Sequence, residues 1–420
     1  MGMTLAEKVI AHHAHQSEVK PGDLVFAEVD IVLGTDVTVP LGVKVFREMG
    51  AEKVHDPSRV VMVQDHFVPA KDIRAAEMSQ IMRNFAREQG IEHYYELGRS
   101  GICHVLLPER GHVKPGDLIV GADSHTCTYG ALGAFAIGVG STDMAAIWAI
   151  GENWIRVPES LRVILTGVPG DWIVGKDIIL HLLGKIGIAG ALYRCVEFGG
   201  DAIERLGVSD RLTIANMCAE LGAKTGIFPA DRRALDYLGE VGVEGASELH
   251  PDPDARYVET IPIDCGVLEP QVAIPYLPSN IVPVSQLKDV KLDQVVIGSC
   301  TNGRIDDMRV VAHFLKGRSV HPQTRLLVIP GSQDVQIGMV REGIAEEILR
   351  AGGVFGPPTC GPCIGGHMGV LAPGEVGLFT TSRNFRGRCG HPTSQVYLSS
   401  PAVAAASAVA GRIVDPRSFE

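Results

Sequence analysis

Short apolar runs that end in glycine or in polar residues recur along this chain, and they alternate with stretches of helical period. Leu24–Val32 (LVFAEVDIV), Arg59–Gln64 (RVVMVQ) and Leu118–Gly121 (LIVG) read as strands in the N-terminal part, and Arg162–Leu165 opens a further block. Asp293–Gly298, Arg325–Ile329, Gly377–Thr380 and Val396–Leu398 repeat the pattern toward the C-terminus. Between them lie expected helices: Asp72–Gln89 with a stripe at Met78, Ile81, Met82 and Phe85, then Ile305–Lys316, Asp334–Ala351 and the small-residue run Ala402–Ala410. The opening residues predict a short amphipathic helix on which His12, His13 and His15 are solvated. Val-Lys-Pro-Gly-Asp-Leu occurs at 19–24 and again at 113–118, as one good turn used twice or an echo of duplication. Strands alternating with helices predict parallel, helix-covered sheets, whose ligands bind at the carboxyl ends of strands.

Three blocks are expected: 1–160, 161–280 and 281–420. The stretch spaced by Pro275, Pro278 and Pro283 has weak periodicity and reads as the linker between the last two.

Composition narrows the function classes. The 420 residues are 45% hydrophobic, which is ample for buried cores and excludes wholesale disorder. Glycine (49) and proline (25) are in excess without a period, which points to tight turns and close backbone approach. A net charge of −11 and only 5% aromatics argue against nucleic-acid binding. The most apolar stretch, Ala131–Ile150, is interrupted by Gly133, Gly138, Gly140, Ser141 and Asp143, so no membrane span is expected. No signal peptide is visible, and the cytoplasm is the expected location.

The nine cysteines point to metal or redox chemistry rather than a disulfide framework. Cys300 lies just past a strand in Gly-Ser-Cys-Thr-Asn-Gly, and Cys360 and Cys363 form Cys-Gly-Pro-Cys within a Gly/Pro-rich stretch. Such surroundings let backbone approach a bulky inorganic group. Several readings stay open at this level. A redox pair would use the CxxC alone, a zinc site wants four ligands, and Cys389 is available as a fourth thiolate to a cluster. Three thiolates would leave one iron open for Lewis-acid catalysis. Acid–histidine pairs stand at strand ends, namely Asp65-His66 and Asp123-Ser124-His125, with His104 in Gly-Ile-Cys-His; a carboxylate beside a histidine suits it for acid/base work. Asn216 and Glu220 are four apart on an expected helix and share a face. Arg383 and Arg388 flank a glycine and are candidates for a carboxylate clamp.

Together these motifs resemble the aconitase superfamily, in the branch whose cluster-bearing large subunit is a chain of its own. Gln64-Asp65-His66, Gly121–Thr126, Gly298–Asn302, Cys360–Cys363 and Arg383–Arg388 occur in family order over nearly the whole chain. The resemblance implies three α/β domains around a central [4Fe–4S] cluster, one per subunit, held by Cys300, Cys360 and Cys363, with Cys389 a bystander. It implies a hydro-lyase that isomerises a hydroxy acid by dehydration and rehydration. Isopropylmalate of leucine biosynthesis is the expected substrate, with homoaconitate, citramalate-type acids and 2,3-dimethylmalate as alternatives. Asp65-His66 would protonate the leaving hydroxyl. His104 with Asp123, and His125 with Glu220, would support it. Ser124, Arg383 and Arg388 would bind substrate, while Asn216, Asn302 and Ser382 would neighbour the cluster. Ser382 stands where many relatives have Asn, and Thr38-Val39-Pro40-Leu41 where relatives have a Gln-containing run. On this resemblance the fourth, swivelling domain is expected on a separate small subunit, implied as partner. An RNA-binding iron sensor and a CxxC redox protein are the competing classes.

Overall fold

The computed structural model describes residues 2–419. The chain folds as two compact units. The first takes in residues up to Arg99, then Leu106–Thr166 and Ala189–Ile263; the second takes Ser100–Val105, Gly167–Ile188 and the chain from Asp264 onward.

Among the described residues of the first unit the main sheet has five strands in the order β4-β3-β2-β5-β6. These are β2 (Ile31–Thr35), β3 (Val60–Val63), β4 (His93–Tyr95), β5 (Leu118–Gly121) and β6 (Phe135–Gly138), all parallel. Their continuous apolar runs are what a sheet covered on both faces requires. The helix Ile73–Gln89 covers it, capped by Asp72, whose Oδ1 accepts from the Ala75 N–H at 2.8 Å. Its buried stripe is Ala75, Ser79, Met82, Phe85, Ala86 and Gln89, so Ile81 from the expected stripe faces solvent. Phe85 packs on Phe46 and Trp148, with ring centroids 5.6 and 5.2 Å apart.

The run Leu24–Val32 is not one strand. β1 (Leu24–Glu28) buries alternate residues and pairs antiparallel with β7 (Glu152–Arg156), whereas β2 is buried almost throughout. Asp30 makes the break: its Oδ2 accepts from the Leu118 N–H (2.8 Å) and meets His13 Nε2 (2.6 Å). His13 is therefore not solvated. It is 7% exposed, on the inner face of the helix Leu5–His13. Burial opposes charge on its ring, but Asp30 and the Val9 carbonyl outweigh it and raise the pKa.

The repeated hexapeptide is one turn used twice. Lys20 N–H donates to Asp23 Oδ2 at 2.8 Å, and Lys114 N–H to Asp117 Oδ2 at 2.7 Å. A second sheet in this unit has the order β10-β9-β8-β11, formed by β8 (Ser160–Thr166), β9 (Cys195–Gly199), β10 (Thr225–Ile227) and β11 (Glu259–Asp264).

The second unit is built on seven strands in the order β13-β12-β18-β17-β14-β15-β16. β14 (Gln294–Ile297), β15 (Arg325–Val328), β16 (Val354–Phe355), β17 (Val376–Phe379) and β18 (Gln395–Leu398) are parallel to one another. β12 (Gln271–Ala273) and β13 (Ile281–Pro283) form an antiparallel hairpin on the β18 edge. The proline-spaced stretch is thus part of the sheet and not a free linker; prolines are tolerated at a sheet edge. The expected helix 334–351 is two, Gln333–Arg341 and Ile344–Arg350, because Gly343 adopts a left-handed φ of 76° between them. Among the described residues no helix is long and apolar enough to cross a membrane.

Candidate active site

In the first unit, five of the singled-out acid and histidine residues converge past the ends of parallel strands. β3 leads into Gln64-Asp65-His66, and β5 into Ala122-Asp123-Ser124-His125. His66 Nδ1 lies 2.7 Å from Asp65 Oδ1, and its Nε2 lies 3.5 Å from Asp123 Oδ2. Asp123 Oδ1 accepts from the His125 N–H at 2.8 Å, and His125 Nε2 meets Glu220 Oε1 at 2.9 Å. All but Asp123 are buried. Burial disfavours charge on His66, yet the carboxylates of Asp65 and Asp123 outweigh it and hold the ring well above its ordinary value. These carboxylates favour the charged form of the ring.

Asp36, which no sequence pattern singled out, braces this turn. It stands just past β2, and its carboxylate accepts from the N–H groups of Asp65 (3.0 Å), His66 (2.8 Å) and Phe67 (2.9 Å). Burial raises its pKa, and the His66 charge works against that. Donor atoms of Asp36, Asp65 and His66 lie within 4.8 Å of one another. They do not make a free cation site, because Asp36 is committed to backbone N–H groups and His66 to carboxylates.

Asn216 and Glu220 do not share one helix face. The helix ends at Met217, and Glu220 lies in the 3-10 turn Cys218–Leu221. Asn216 Nδ2 donates to Thr128 Oγ1 at 2.8 Å, while its buried Oδ1 has no partner among the described residues. Ser124 is exposed. His104 is buried at the start of the helix Cys103–Glu109 and falls in the second unit.

The cysteines of interest all belong to the second unit. β14 ends at Ile297, and the short helix Ser299–Asn302 follows at once. Gly298 makes the corner at φ 144°, where an added Cβ would sit 2.2 Å from the Ile329 carbonyl oxygen. Cys300 is buried against Ile102 and Val105. Arg304 reaches back and donates to the carbonyls of Thr301 (2.7 Å) and Cys300 (2.9 Å). Cys360 precedes the 3-10 turn Gly361–Ile364, closed by the Cys363 N–H donating to the Cys360 carbonyl at 3.0 Å. Arg388 Nε donates to the Cys363 carbonyl at 3.0 Å. Cys389 lies 3.8 Å from the carbonyls of Cys363 and Arg383, and burial pushes its thiol up, so it stays protonated. Arg383 is half-buried. The Oδ1 of Asn302 and the Oγ of Ser382 are buried without partners among the described residues. Cys300, Cys360 and Cys363 are thus all buried, and the orphaned Asn302 oxygen stands on the same short helix as Cys300.

Lys176 is the second residue the sequence did not flag. It is fully buried on the helix Gly175–Ile186, and its Nζ donates to the carbonyls of Thr380 (2.8 Å) and Thr381 (2.7 Å). Burial pulls its ammonium down to about 7, against the opposing pull of Cys363, Cys300 and Asp307. The only cue was a Lys-Asp pair opening an otherwise apolar helix.

The sequence matches the pattern of the Aconitase family (aconitate hydratase) over residues 7–289 and 285–411. The chain belongs to the aconitase family. Family members close in sequence include a protein of Moorella thermoacetica, 55% identical over 416 residues that span 99% of both chains. Another, from Pyrococcus furiosus, is 54% identical over 417 residues, spanning 99% of this chain and 98% of that one. These two are named 3-isopropylmalate dehydratase large subunit and large subunit 1. A protein of Syntrophus aciditrophicus with the former name is also 55% identical over 416 residues. Among solved structures, the holo-form of aconitase X from Thermococcus kodakaraensis superposes with a TM-score of 0.52 at 16% identity, covering 86% of this chain and 84% of that one. That likeness supports the α/β fold of the aconitase family.

Proposed function

We propose that this chain is the large, cluster-bearing subunit of 3-isopropylmalate dehydratase, a hydro-lyase that shifts a hydroxyl between adjacent carbons by dehydration and rehydration. The observation that carries this reading is identity of 51–55% to relatives of that name over 99% of this chain. The three-block division at 1–160, 161–280 and 281–420 is part of the same proposal.

In this reading Cys300, Cys360 and Cys363 hold a [4Fe–4S] cluster, and its iron without a thiolate supplies Lewis acidity to the substrate hydroxyl. Asp65 and Asp123 favour the protonated form of His66, which in this reading gives its proton to the departing hydroxyl. His125 with Glu220 extends that acid–histidine chain, and His104 is a further acid/base group. Arg388 spends Nε on the Cys363 carbonyl, and its remaining N–H groups, with Arg383 and Ser124, hold substrate carboxylates. Asn216, Asn302 and Ser382 are the residues this reading assigns to the surroundings of the cluster. A separate small subunit supplies the swivelling domain and the base that removes the C–H proton. That partner follows from the words "large subunit" in the relatives' names.

The test is iron and sulfide analysis with EPR after mild oxidation, carried out anaerobically on wild type and Cys389→Ser. A [3Fe–4S] signal retained in the variant is the expected result. Absence of iron from wild type, or a cluster lost with Cys389, overturns the reading.

A further inference from the structure

A lysine with no exposed surface is costly, because its ammonium gives up hydration and regains little from an apolar interior. Lys176 bears that cost where its three N–H groups meet two consecutive carbonyls, those of Thr380 and Thr381 at the end of β17. The carbonyl of Thr380 is shared: Thr301 Oγ1 donates to it at 2.6 Å. The hydroxyl of Thr380 is committed as well, accepting from the Gly298 N–H (2.9 Å) and donating to the Gly298 carbonyl (3.1 Å). Thr380 therefore ties down both flanks of Cys300, at Gly298 and at Thr301. Its own loop continues to Ser382 and Arg383. Lys176 closes this knot from a helix remote in sequence, 204 residues away.

We propose that Lys176 is a positioning residue of the cysteine site, fixing the Thr380–Thr381 turn that holds Cys300 and placing one positive charge beside the thiolates of Cys300 and Cys363. The proposal rests on the reading of Cys300, Cys360 and Cys363 as cluster ligands. Neighbouring thiolates and the carboxylates of Asp307 and Asp177 are the charges that face the ammonium. A simple carbonyl tie would be served by a neutral donor. The protonated form of Lys176 does more, because a positive charge in a water-poor site stabilises whichever state of a nearby group carries more negative charge. Removing it should make a cluster harder to reduce.

The experiment compares wild type with Lys176→Met, both reconstituted anaerobically with iron and sulfide. The reduction potential of the cluster is read by EPR-monitored titration, and iron release to a chelator is read by absorbance. The expected result for Lys176→Met is a potential shifted to more negative values and iron release faster by about tenfold or more. Lys176→Arg, which keeps the charge, should bring the potential back toward wild type. A potential unchanged in Lys176→Met overturns the proposal, whatever the iron content, because a merely structural lysine would not move it. If Lys176→Met does not fold, Lys176→Gln keeps an N–H donor without the charge and is judged by the same criterion. Failure of the wild type itself to take up a cluster defeats the parent reading instead, so the two failures are distinguishable.

Discussion

His66 is held by Asp65 on one ring nitrogen and faces Asp123 on the other, so its charge depends on them. Its folded pKa is raised above the ordinary 6.5. The stability it contributes is therefore fully present below about pH 6.5 and is lost as the pH rises through the raised native value. Asp65→Asn should move the His66 titration down, seen by NMR of labelled histidine, and should cost about 2 kcal/mol of stability at neutral pH. A titration that does not move would show that Asp65 does not govern the ring. Asp65 and Asp123 were legible because each stands beside a histidine in a recognisable motif, whereas the pairing of Glu220 with His125 came from the family resemblance alone. Asp36 and Lys176 were not, since a lone aspartate after a strand and a lysine at a helix start usually face water. His13 failed for the same reason in reverse: its burial depends on Asp30, which lies 17 residues away and one strand on.

Elements meet their neighbours at corners, and two glycines show what decides a corner's tolerance. Gly298 has φ 144° and a backbone carbonyl 2.2 Å from where a Cβ would stand, whereas Gly343 has φ 76° with nothing within 4 Å. Gly298→Ala should cost at least about 2 kcal/mol and abolish iron binding, whereas Gly343→Ala should cost about 1 kcal/mol and leave iron binding intact. Urea denaturation and iron analysis check both, and equal costs would contradict the steric argument. The strands β3, β5, β14, β15, β17 and β18 were readable to within a residue or two from their apolar runs. Where reading failed, a local period changed without a change in hydrophobicity. Leu24–Val32 passes from a one-faced ribbon strand to a buried one, and 334–351 stays amphipathic across the break at Gly343. The hairpin β12–β13 was hidden because three-residue strands between prolines carry almost no pattern of their own.

At the scale of the whole molecule, the function proposed here predicts that the purified chain does not turn over isopropylmalate and that adding the small subunit restores turnover. Hydration or dehydration by this chain alone would refute the division of labour. The α/β class was legible because alternation of strand and helix is a chain-wide signal. The grouping into two units was not, because each gathers segments from distant parts of the sequence. That interleaving has a consequence for biosynthesis. Lys176 and the buried Ile178, Ile179, Leu180, Leu182 and Leu183 leave the ribosome long before Thr380, their helix's partner 204 residues downstream of Lys176. At ordinary translation speeds the wait is roughly 10–40 s. The hairpin β12–β13 reaches this helix earlier, with Gln271 94 residues beyond Asp177, but through the full interval the lysine at its start lacks its carbonyl partners, so the nascent chain passes through a stage that invites chaperone capture or proteolytic clipping between 167 and 188.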